Sequence, residues 1–124
     1  MSVNCTWRVI NMTHKDADGG VILVNWSCVA SSVAASEDDP VYSATEAGKL
    51  SCEYDASAPG FIPYDNLTED VVLGWVYADL AAKSEVENET PDEAKARVEA
   101  DRIAKVWAQS ERASKQSDGL PWAA

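Results

Sequence analysis

Positive charge is what this sequence has least of. Ten Lys and Arg stand against 21 Asp and Glu in 124 residues, a formal net charge of −11. A surface of that sign repels a phosphate backbone, and no Lys/Arg cluster offsets it, so nucleic-acid binding by this chain alone is not expected. Long apolar runs are missing too. Val21-Ile22-Leu23-Val24 is far too short to span a bilayer, so no membrane partner is expected. The opening Met1-Ser2-Val3-Asn4-Cys5 has none of the basic-then-apolar character of a secretion signal, and the expectation is a soluble protein made in a cytoplasm. The Asn-x-Ser/Thr triplets at Asn4, Asn11, Asn25, Asn66 and Asn88 therefore read as chance, not as glycosylation acceptors.

Reactive and metal-binding side chains are equally scarce. His14 is the single histidine and reads as a solvated residue beside the charged turn His14-Lys15-Asp16-Ala17-Asp18. The three cysteines, Cys5, Cys28 and Cys52, are too widely spaced for a metal knuckle, and their odd number argues against a disulfide framework. Free thiols buried on strands are the expectation, with a single Cys5–Cys28 bridge across a hairpin as the alternative. Glycine-rich phosphate loops and serine elbows are absent. The acidic clusters Glu37-Asp38-Asp39 and Asp16-Ala17-Asp18 do not continue into a twelve-residue calcium loop and read as solvated. Nothing places two acids across an apolar cleft, as glycoside hydrolysis requires. No catalytic, cofactor-binding or metal-binding residue is expected, and the chain reads as noncatalytic.

What is present suffices for one modest core: 46% of the residues are hydrophobic and five are tryptophan, in a chain too short for two independent cores. Residues 5–13 and 21–30 carry the β-branched and aromatic residues of strands, and the glycines of DADGG between them support a hairpin. A two-residue turn at Asp18-Gly19 would put Trp7 and Val9 on one face with Val24, Trp26, Cys28 and Ala30. Trp7 and Trp26 could form a ligand-stacking pair, but on the inner face of a small sheet they read as core. Residues 31–40 form an acidic loop, and Val41 to Tyr54 supply a third strand or a second hairpin around Glu46-Ala47-Gly48. Leu50, Cys52 and Tyr54 alternate with polar neighbours there.

Thr68-Glu69-Asp70 is a helix start, a hydroxyl cap followed by acids in the first turn. Val71, Val72, Trp75, Val76 and Leu80 then build an apolar face to about Ala82, with Leu73 inside it, which covers the sheet. Gly74 costs such a helix roughly 1 kcal/mol against alanine, which implies a close approach by a strand or ring. Thr90-Pro91-Asp92-Glu93 marks a second start, with cap, proline at the first turn and glutamate three residues after the cap. This helix is expected to reach about Arg112, with Ala96, Ala100, Ile103 and Trp107 as a narrow stripe that packs on the body, pairs with a second copy or projects. The fold class is therefore α+β: a small antiparallel sheet of three to four strands covered by an amphipathic helix, then an acidic helix and a short tail. The expected organisation is a core over 1–83, the acidic helix over 84–113 and a flexible tail over 114–124. Phe61 and Trp75 join Trp7 and Trp26 as expected core. Trp107, Leu120 and Trp122 are the candidates for protein contact, the last two within the tail's Gly119-Leu120-Pro121-Trp122.

Trp7-x-Val9, Asp18-Gly19-Gly20-Val21, Val24-x-Trp26, GFIPY at 60–64, Leu67-Thr68-Glu69-Asp70 with Val72-Leu73-Gly74-Trp75-Val76, and the terminal GLPW together resemble a family of small tailed-bacteriophage proteins of unknown function, notably from phages of marine bacteria and cyanobacteria. The likeness spans most of the chain and is most specific at the aromatic turn and the helix after it. The acid-rich loop 31–40 and the long helix after Thr90 depart from the pattern. The resemblance implies a small virion component or an accessory protein made during infection; the lack of chemistry makes the expected role noncatalytic, and the charge has the accessory alternative bind a host or phage protein through its acidic surface. It implies residence in the host cytoplasm or in the virion, and no active-site residues.

Overall fold

The computed structural model describes residues 1–117, 119, 121 and 122. Three antiparallel strands, β1 (Ser2–His14), β2 (Val21–Val33) and β3 (Ser43–Ser51), form a sheet in sequence order. A short 3-10 turn at Tyr64–Asn66 leads into α1 (Glu69–Ala82), and α2 (Pro91–Ser114) follows. Both helices pack on one face of the sheet.

The expected inner face is correct although the turn is not. Trp7 lies opposite Cys28, where an Asp18-Gly19 turn would have paired it with Ala30. A two-residue slip returns every side chain to the same face, because strand side chains alternate with period two. The wider loop is closed by Lys15 N–H donating to the Gly20 carbonyl and Gly19 N–H donating to that of Lys15, both at 2.9 Å. Gly19 sits at φ +72°, and its carbonyl accepts from Tyr64 N–H at 2.7 Å, which pins the loop to the segment before α1. Ile10 is a bulge between Val9 and Asn11 and faces solvent.

β3 is one unbroken strand through Glu46-Ala47-Gly48. The hairpin alternative fails because Gly48 supports the Trp26 ring: a Cβ there would come within 2.6 Å of it. Trp26 in turn packs on Trp7, with centroids 5.6 Å apart, and Tyr77 of α1 meets Trp7 edge-on at 5.0 Å. Val24, Cys28, Leu50, Val72, Leu73, Val76 and Val98 complete this core. A fully buried valine contributes roughly 1.5–3 kcal/mol, so Val24, Val72 and Val76 are major terms.

Thr68 caps α1 by accepting from Val71 N–H. Gly74 differs from expectation. It faces solvent and nothing lies within 4 Å of where its Cβ would be, so no close approach compensates for it. Thr90 and Glu93 form a complete capping box at the start of α2.

The buried face of α2 is not the stripe expected from the sequence. Ala94, Val98 and Val106 are buried and Ile103 is half-buried, whereas Ala96, Ala100 and Trp107 face outward. Polar partners on the sheet set this rotation. Arg102 Nη1 donates to the Thr45 carbonyl at 3.1 Å and Nη2 lies 3.4 Å from Glu46, while Glu99 accepts from the Trp7 indole N–H at 3.0 Å. Small Ala30 and Ala44 on the sheet leave room for Val106 beside them. Of the placements left open for α2, the chain adopts packing on its own sheet.

The sheet edges are partly closed by side chains, which limits strand addition there. On β1, Val9 N–H donates to the Glu69 carboxylate at 3.2 Å. On β3, Gln109 Nε2 donates to the Ser43 carbonyl at 2.7 Å, beside the Arg102 contact to Thr45. The opposite face of the sheet is polar, with Asn4, Thr6, Arg8, Thr45, Lys49 and Ser51 exposed.

Candidate functional site

A concavity lies where the end of β3, the loop to Phe61 and Ile62, and α1 converge. It holds about 400 Å³, at the small end of ligand clefts. Val21, Leu50 and Cys52 line its sheet side, Trp75 comes from α1, and Tyr54, Phe61 and Ile62 bring further apolar surface from the loop. Glu53 and Asp55 also line it, and both border the neighbouring concavity beside Lys15 and Asp18.

Its aromatic wall is held in place by contacts within the chain. Tyr54 lies flat on Gly20, so close that a Cβ there would overlap the ring. The Tyr54 hydroxyl donates to Asp18 at 2.8 Å, and Gly20 N–H donates to the same oxygen at 3.0 Å. The Gly20 amide and then the Tyr54 hydroxyl hold the Asp18 carboxyl below its ordinary range, and the bond to Asp18 pushes the Tyr54 phenol up. Phe61 packs against Tyr54 with centroids 5.5 Å apart. The loop between them is shaped by Ala58 N–H donating to the Asp55 carbonyl and Phe61 N–H to that of Ala58. Asp55 accepts from both the Ser57 hydroxyl and the Ser57 amide, which lowers its pKa.

His14 does not line this cleft. It is not the solvated turn residue expected: it is half-buried and stacks on Tyr64 with centroids 3.9 Å apart, and its Nδ1 is buried without a hydrogen-bond partner. The Gly19–Tyr64 backbone bond brings the two rings together. The acidic loop is organised internally, with Asp39 accepting from the amides of Ala35 and Ser36. Among the described residues no group of three or more His, Cys, Asp or Glu could hold a metal ion, and no helix is long and apolar enough to cross a membrane.

All three cysteines are free. Cys5 and Cys28 share the inner face as diagonal neighbours. Burial pushes the Cys28 thiol up to about 12, and the Cys52 thiol is raised for the same reason.

Trp7 and Trp26 are buried core, Trp75 is half-buried against the core, and Phe61 is half-buried at the cleft. Trp107 is 48% exposed on the outer side of α2 and Trp122 is 79% exposed. Leu120 lies outside the described residues. The structure does not bring Trp107 and the cleft together: the cleft is built on α1 and β3, and Trp107 on α2. The cleft went unrecognised in the sequence, although Tyr54, Phe61, Ile62 and Tyr64 crowd around Gly60 and Pro63; only the fold sets Trp75 opposite them.

A family model described as a domain of unknown function, DUF7936, matches residues 2–122, nearly the whole chain. The chain belongs to that family. No curated protein and no solved structure matches it. Membership accords with the likeness to an uncharacterised family and supplies no chemistry to the cleft.

Proposed function

We propose that this chain is a noncatalytic protein of a tailed phage, a virion-associated component that works through protein–protein contacts. The observation that carries this reading is the exposure of Trp107 and Trp122, at 48% and 79%, while Trp7 and Trp26 are buried. Tryptophan combines a large apolar surface with a single polar N–H, and it is the residue type most enriched among energetic anchors of protein interfaces. Helix α2, which presents Trp107, is capped and packs on the sheet, burying Ala94, Val98 and Val106. The sheet edges are poorer candidates, because Glu69, Arg102 and Gln109 occupy part of their backbone groups.

Mass spectrometry of purified particles of the encoding phage tests the assignment. The chain is expected at a fixed copy number in intact virions, and its absence from them sinks the virion reading. Light scattering on wild type and Trp107→Ala asks whether α2 meets a second copy. Loss of a dimer with retained folding would place Trp107 in a homo-oligomer.

A second reading, an accessory protein of the infected host cytoplasm that binds a host or phage protein through its acidic surface, draws on charge. Arg97 pairs with Glu89, Arg102 with Asp101 and Glu46, and Lys105 with Asp101, so much of the basic charge of α2 is neutralised within the molecule and the net −11 is left to face a partner. A pull-down from infected cells that retains no partner at moderate salt refutes it. An enzyme is the least supported class, since Glu53 and Asp55 line the cleft without His14.

A further inference from the structure

We propose that the cleft between Trp75 and the 52–62 loop is a docking site for a basic segment of a partner protein, seating one Arg or Lys side chain against the aromatic wall with its charge toward Glu53 and Asp55. This rests on the protein-contact reading above and adds to it the chemistry of the partner. The argument begins with composition of the lining. Three aromatic residues, Tyr54, Phe61 and Trp75, line one concavity of about 400 Å³ together with the acidic residues Glu53 and Asp55. Aromatic faces carry negative electrostatic potential and attract cations, Arg most often, and Trp is the best of the three. Glu53 and Asp55 pair with no cation among the described residues, whereas several other surface acids do. The Glu53 carboxylate accepts no hydrogen bond among the described residues, and Asp55 holds Ser57 with one oxygen and keeps the other for a ligand.

The chemistry selects against other occupants. An anionic ligand would meet two carboxylates within a protein of net charge −11. A purely apolar side chain would cover the rings and leave both acids partly desolvated without a partner, which costs free energy. An Arg or Lys side chain satisfies both parts, since its methylene stem lies on apolar surface while its head reaches an acid. Lys15 is the nearby cation, with its Nζ 5.8 Å from the Tyr54 ring; it lines the adjoining concavity that shares Glu53, Tyr54 and Asp55, and it forms no ion pair with either acid among the described residues. Tyr54 is already fixed by Gly20 and Asp18, so a ligand need not order that part of the wall.

The test uses the full chain, isotope-labelled, titrated with a blocked tripeptide of Arg between two Leu and with its citrulline counterpart, which keeps the shape and removes the charge. Amide shifts are expected over residues 52–62 together with the Trp75 indole, with the Arg peptide bound about tenfold more tightly than the citrulline peptide. The preference should shrink in high salt and vanish in Glu53→Gln/Asp55→Asn, a variant that alters only cleft acids and whose folding the same spectra verify. Equal binding of the two peptides, shifts centred elsewhere, or no shift at millimolar peptide overturns the proposal. If the acid-substituted variant still enters virions or retains its partner, the contact reading stands and the cleft is not its route.

Discussion

The two glycines at 48 and 74 should respond to the same substitution with opposite signs. At Gly74 an added methyl group meets nothing within 4 Å, and the position is an exposed helix interior. Alanine there gains roughly 1 kcal/mol, because it restricts the unfolded chain and suits the helix better. With an unfolding entropy of about 2.1 cal/mol/K per residue, that gain raises the melting temperature of a chain of 124 residues by about 4 °C. At Gly48 the methyl would sit 2.6 Å from Cζ2 and 2.8 Å from Cε2 of Trp26, a ring only 6% exposed and backed by Trp7. Overpacking of this kind costs about 1–3 kcal/mol, and the better strand propensity of alanine returns up to about 1 kcal/mol. The net is a loss of up to about 2 kcal/mol, which lowers the melting temperature by up to about 8 °C. Calorimetric melts of both variants read the effect directly. In a Trp26→Leu background the Gly48→Ala penalty should shrink, since the clashing ring is gone. A destabilised Gly74→Ala, or a Gly48→Ala penalty unchanged by removing the ring, would refute the packing argument.

Other expectations follow from the same contacts. Glu99→Ala leaves the partly buried Trp7 indole without its acceptor and should cost about 1–3 kcal/mol in urea unfolding, while Glu99→Gln should cost less. The Glu89 side chain is 3% exposed, and the hydrogen bond from Arg97 holds its carboxyl below the ordinary range. A carboxyl lowered in the folded state stabilises fully above its unfolded pKa and loses that contribution as pH falls through the folded value. The melting-temperature gap between wild type and Glu89→Gln should therefore hold down to about pH 5 and close at lower pH. Burial and a thiol pushed up to about 12 should leave Cys28 the slowest cysteine to alkylate in the native protein at pH 8, with all three reacting in denaturant by mass spectrometry. Native-state alkylation of Cys28 at the rate of a free thiol would contradict its placement.

Local rules were enough for the element starts. Thr68 and the Thr90/Glu93 box announce α1 and α2 because capping satisfies the first backbone amides of a helix from within a few residues, and the structure starts both helices where those signals stand. The inner face of the hairpin was equally legible, because an even slip in register preserves side-chain parity. Trp7 and Trp26 declared themselves as core by that parity alone.

Tertiary structure decided what depends on partners far along the chain. The face α2 buries follows Arg102 reaching Thr45 and Glu46, and Glu99 reaching Trp7, so two charged residues that look solvent-facing in the sequence point at the sheet and Trp107 points away. Hydrophobic periodicity cannot register such polar pairings, because the partners lie more than fifty residues away. The His14–Tyr64 stack and the cleft between Trp75 and the 52–62 loop share that origin: each side of the contact is ordinary in its own segment, and only the closure of the chain sets them face to face. By itself the sequence determined the helix starts, the inner sheet face with Trp7 and Trp26, and the acidic balance; the packed fold determined that Trp107 faces solvent and that Tyr54, Phe61 and Trp75 line one cleft with Glu53 and Asp55.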